Sequence, residues 1–152
     1  MFAIFPGIAA CAALIGIIFF GQPIVEAFLA SILFFVVGFG SLFAFMGHIF
    51  NSDEVAKKIG WPSGNPFQFE VGIANLSYGV LGIMSVWFRH EFWIASVVAV
   101  SIFYIGAGIC HISDKHKNKN VSELNVGFPL YFDFILPIVL IVLLGLYLAG
   151  VR

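Results

Sequence analysis

Long apolar runs alternate along this chain with short polar interruptions at residues 21–23, 51–65, 89–91 and 113–125. A helix needs about 20 apolar residues to cross a bilayer. The pattern therefore predicts an all-α, polytopic transmembrane helix bundle, a single domain over residues 1–152, with five spans at about 2–20, 24–49, 66–88, 92–112 and 129–149. One interruption has a helical grammar of its own. Val55 and Ile59 share a face, Lys57 and Lys58 stand where a helix C-terminus favours cations, and Gly60 follows as a stop. Asn51 and Glu54 have the spacing of a capping box. Together these predict a short helix at about 52–59 lying in the membrane interface, with Trp61 as its aromatic anchor.

The runs differ in what they place on their faces. The first has no ionisable side chain and no basic leader, so it is expected to remain as a lipid-facing span. In the second, Ser31, Gly38, Ser41, Phe45 and His48 share one helical stripe, and in the fourth Ser101, Tyr104, Gly108 and His111 repeat the pattern, again ending in a histidine. In the third, Gly72, Asn75, Gly79 and Gly82 make a close-approach stripe on which Asn75 can hydrogen-bond across to a neighbour. Asn65 suits the N-cap of that span, with Pro66 at its first position and Gln68 three residues past the cap. Glu70 then lies about 6 Å beyond the start at 1.5 Å per residue, below the headgroups. It points away from the glycine stripe, so the third span is either buried on both faces or turns Glu70 toward the loop. Glu26 opens the second span at the favourable end of its dipole, and Trp87 and Trp93 flank Arg89-His90-Glu91 as an interfacial belt. Residues 113–125 read as a solvated loop, and Pro137 removes the usual helical partner of the Asp133 carbonyl.

Composition sharpens the membrane reading. Hydrophobic residues make up 61% and charged residues 10%, and the mean hydropathy is +1.06, far from the roughly one-quarter charged content of soluble chains. A formal charge of −1 gives no basic field, so nucleic acid is not an expected partner. The expected partners are the lipid bilayer and either further copies of the chain or a larger membrane complex. Cys11 and Cys110 form neither a CxxC pair nor a disulfide framework and read as small apolar residues.

Five crossings alternate sides, which brings His48, Glu70, His111 and Asp133, from four different spans, to one face, with Asn75 and Asn125 nearby. That face also holds all five lysines against two arginines opposite, so the positive-inside rule places it, with the N-terminus, in the cytoplasm. An ionisable residue costs about 2.5–3.5 kcal/mol at the centre of a span and normally faces the interior or water. A shared pocket satisfies all four. Three readings of it stand open: a ligand or metal site, since two histidines and two carboxylates suit zinc, iron or manganese; a helix-register latch in an accessory subunit; and a proton-coupled solute site in an oligomeric transporter. No HExxH spacing accompanies the set, and enzymatic activity is left open.

Gly47-His48, the run IGWPSGNPFQFEVGIANLSYGVLG, Phe92-Trp93, GAGICHI, Asn125-Val126-Gly127 and Asp133 resemble the pattern of an uncharacterised family of small prokaryotic integral-membrane proteins. The resemblance covers most of the chain from the second span onward. It implies a prokaryotic cytoplasmic membrane location and says nothing of substrate.

Overall fold

The computed structural model describes residues 4–152, and among them only helices and turns occur. The helices are α1 (Ile4–Phe20), α2 (Ile24–Phe50), α3 (Ser52–Ile59), α4 (Phe67–Met84), α5 (Glu91–Asn118), α6 (Glu123–Val126) and α7 (Phe128–Leu148). Among the described residues, three helices are long and apolar enough to cross a membrane: α2, α5 and the run Glu123–Leu148 that joins α6 to α7. The apolar α1 is shorter, and the expected start of the first span at Phe2 lies outside the described residues. Gln68, Glu70 and Asn75 dilute the hydropathy of α4, which is not among the three.

Packing follows the small residues. Ala9, Ala13 and Gly16 are the buried positions of α1, which lies against α2. Along α4, Gly72, Asn75, Gly79 and Gly82 are buried and face α2, as their spacing predicts. The approach is closest at Gly82, where a Cβ would stand 2.6 Å from both Gly38 Cα and the Leu33 carbonyl oxygen. Leu29, Leu33 and Val37 of α2, Trp93, Val97 and Val100 of α5, and Leu136, Leu140 and Leu144 of α7 form one core.

Several local expectations are corrected. Within α2 the backbone winds as a π-helix over Ile32–Phe39, a widening the apolar pattern does not encode. Helix α5 runs six residues into the expected loop, to Asn118, because Asp114 accepts from Asn118 one turn on at 2.6 Å, and Lys115 and Lys117 sit at the favourable C-terminal end. Asn51 makes no side-chain cap; Glu54 pairs instead with Lys58 at 2.9 Å. Gly60 does end α3 in the left-handed region, at φ 84°, and Asn65 Oδ1 does cap α4 by accepting from Phe67 N at 2.9 Å. Asn75 bonds within its own helix, to the Val71 carbonyl at 2.9 Å. Trp93 is no belt residue: it is fully buried and donates Nε1–H to the Ser85 carbonyl at 2.9 Å, whereas Trp87 is exposed.

The two ends of the bundle are chemically distinct. At one, Arg89 pairs with Glu26 and lies over the Trp93 ring, and the Tyr147 hydroxyl meets His90 Nδ1 at 2.9 Å. At the other, the end of α2, the start of α4, the end of α5 and the start of α7 meet α3 and α6.

Candidate functional site: the polar end of the bundle

His111 stands at the centre of this end. The stripe Ser101, Tyr104, Gly108 and His111 of α5 faces α7, and glycine at 108 lets the two helices close: a Cβ there would lie 3.2 Å from Asp133 Cβ and 2.6 Å from the Phe134 ring. That closure brings Asp133 Oδ2 to 3.9 Å from His111 Nε2, with both side chains almost wholly buried. On its other edge His111 Nδ1 meets Asn125 Oδ1 at 2.7 Å. Trp61 stacks on the imidazole, ring centroids 5.8 Å apart and planes 18° from parallel.

A ring of amides holds this arrangement. Asn125 is fully buried, and its Nδ2 donates to the Asn120 carbonyl at 2.9 Å and leans on the His111 carbonyl at 3.5 Å. Asn120 Nδ2 reaches the Ile59 carbonyl at 2.8 Å and Asp114 Oδ2 at 2.6 Å. Asp114 Oδ2 also accepts from Trp61 Nε1–H at 2.9 Å. The end of α3, the loop after α5 and helix α6 are therefore tied to the end of α5 by polar contacts as well as by the burial of Ala56 and Ile59.

The remaining expected site residues lie elsewhere. His48 Nδ1 pairs with Gln68 Oε1 at 2.6 Å, joining the end of α2 to the first turn of α4 beside a shallow depression of about 300 Å³. Asn75 is buried on the α2–α4 seam. Glu70 is exposed, on the same α4 face as Phe69, Ile73 and Val80, and has no ion pair among the described residues. The four-residue metal set is not assembled: among the described residues no three of His, Cys, Asp or Glu are grouped to hold an ion. Helix orientation is the reason. His48 lies in the α2–α4 seam against Gly72 and Gln68 and Glu70 is turned out to the exposed face of α4, while His111 and Asp133 face each other across α5 and α7.

A model of a protein family matches residues 1–150. The chain belongs to DUF6790, a family of unknown function. No curated protein and no solved structure matches it. Membership agrees with the resemblance to an uncharacterised family and brings no chemistry with it, so any reading of this DUF6790 member rests on its own residues. Four of those were missed in the sequence as members of the site: Gln68, Trp61, Asp114 and Asn120. Gln68 was legible only as a capping residue and Trp61 only as an anchor. Asp114 and Asn120 sat in what read as a solvated loop.

Proposed function

We propose that this is an integral membrane protein whose polar end holds a proton or a small polar donor ligand between His111 and Asp133. One observation carries the reading: His111 Nε2 and Asp133 Oδ2 stand 3.9 Å apart, and Oδ2 receives no hydrogen bond from any described residue. The Asn125 amide is oriented by its two donor contacts to backbone carbonyls, so its Oδ1 is what meets His111 Nδ1. An amide oxygen only accepts, and Nδ1 must therefore bear the hydrogen. A neutral imidazole with its proton on Nδ1 presents a lone pair at Nε2, aimed at Asp133 Oδ2, which has no hydrogen-bond partner. The buried Asp133 Oδ2 and a lone pair on the part-buried Nε2, 3.9 Å apart, call for a donor between them: a proton on either group, or a ligand hydroxyl, amine or water.

The wider setting is part of the same proposal. Helices α1 and α4 complete five crossings, with α3 in the interface and the lysine-bearing polar end in the cytoplasm of a prokaryotic cell. The exposed face of α4, with Glu70 among apolar side chains, suits contact with further copies or with a larger complex. A latch role in an accessory subunit is favoured by a separate observation: His48–Gln68 binds the end of α2 to the start of α4, and His111–Asn125 binds the end of α5 to α6.

Histidine-selective ¹⁵N NMR of the full chain in nanodiscs tests the site. The expected spectrum has His111 protonated at Nδ1, with Nε2 either protonated or accepting a hydrogen bond. Asp133→Asn, which replaces the carboxylate by a neutral amide with donors on the Nε2 side, is expected to give the neutral Nδ1–H form. A His111 with its only proton on Nε2 refutes the reading. Retention in the membrane pellet after alkaline carbonate extraction tests the setting independently.

A further inference from the structure

Three buried side-chain oxygens have no hydrogen-bond partner among the described residues: Ser41 Oγ on α2, Ser101 Oγ on α5 and Asp133 Oδ2 on α7. The residues are 0%, 4% and 6% exposed, so bulk solvent does not satisfy them. They are related in space through Tyr104. Its hydroxyl faces Ser41, though without hydrogen-bond geometry, and lies within electrostatic reach of Asp133. Ser101 and Tyr104 lie on the same stripe of α5, and His111 ends that stripe about 15 Å above Ser101 at 1.5 Å per residue. Below it the interior is apolar: Val97, Val100, Leu136 and Leu140 are all buried in the core.

We propose that bound water fills this line, entering at the polar end past His111 and Asp133 and ending at Ser41 and Ser101. The proposal rests on the His111–Asp133 reading and names water as the donor that reading requires. Each buried polar atom in a protein interior is expected to have a partner, and an internal water commonly makes about three hydrogen bonds to groups left over by the fold. Here the oxygens of Asp133, Tyr104 and Ser41, with Nε2 of His111, supply partners from three helices. The apolar core closes the opposite end, so water and exchangeable protons reach the line from the polar face alone.

Hydroxyl-radical footprinting by X-ray radiolysis of the full chain in nanodiscs tests this, because radicals formed from bound water oxidise the side chains beside it. Tyr104, whose ring is part-exposed, is expected to label several-fold faster than Trp93, which is fully buried in the apolar core. Asp133→Leu is expected to lower Tyr104 labelling several-fold, and the share that is lost reports the bound water. Tyr104 as silent as Trp93, or labelled unchanged in Asp133→Leu, overturns the proposal. Should Asp133→Leu fail to fold, Ser101→Ala decides. A hydroxyl bonded to water stabilises the fold, so its loss lowers the unfolding midpoint; an unchanged or raised midpoint marks an unpaired group in a dry interior and overturns the proposal. Failure here leaves the His111 tautomer as measured, whereas an Nε2–H tautomer with Tyr104 still labelled removes the proposed couple and keeps the water.

Discussion

The crossing of α2 and α4 offers the most direct quantitative test of the packing, through Gly82→Ala. The added Cβ would stand 2.6 Å from Gly38 Cα and from the Leu33 carbonyl oxygen, and ordinary contact begins at 3.4 Å. Both neighbours are backbone, as is the still nearer Gly38 N, so no side chain can rotate away, and the helices must separate by at least about 0.8 Å. Separation also loosens the seam at Gly79 against Leu42 and at Gly72 against Ile49. Overpacking of this kind costs about 1–3 kcal/mol, offset by about 0.5–1 kcal/mol for replacing a glycine inside a helix. The net expectation is a loss of about 1–2 kcal/mol. Gly106→Ala is the matched control: a Cβ at Gly106 meets nothing within 4 Å, so only the favourable term of about 0.5–1 kcal/mol remains. The two variants should lie on opposite sides of wild type and differ by about 1.5–3 kcal/mol. Equilibrium unfolding in mixed detergent micelles, read by tryptophan fluorescence, measures both. A Gly82→Ala protein as stable as wild type would show that the seam is not close-packed, and the reasoning fails.

Other outcomes follow from single contacts. Asn125→Ala leaves His111 Nδ1 and the Asn120 carbonyl without their partner and should cost about 1–3 kcal/mol per group in the same unfolding assay, a loss below about 0.5 kcal/mol being inconsistent with burial. Trp93→Phe keeps most of the ring volume but orphans the Ser85 carbonyl, and about 1–3 kcal/mol should again be lost. The Glu26–Arg89 pair is part-exposed, so Glu26→Gln should change stability by no more than about 1 kcal/mol, and by less at high salt. Lys58 beside Glu54 holds that carboxyl below the usual range; any stability from the pair is full at neutral pH and fades as pH falls through the lowered pKa. In Lys58→Ala the Glu54 titration, followed by NMR, should move to higher pH.

Much of the architecture was legible in one dimension because its determinants are local or periodic. The apolar runs set which segments are helices, Gly60 and the Asn65-Pro66 pair marked where α3 stops and α4 starts, and the spacing of Gly72, Asn75, Gly79 and Gly82 identified the face of α4 that packs on α2. Parity then sorted the polar groups to one end. What parity does not determine is the rotation of each helix about its own axis and the choice of neighbour. Those rest on side-chain contacts between distant segments: Gly108 closing α5 on α7, and Gly82 closing α4 on α2. That choice paired His111 with Asp133 and His48 with Gln68, and left Glu70 outside. The amide ring through Asn120 and Asn125 is the same kind of fact, since hydrogen bonds between residues 61 apart leave no period in the sequence.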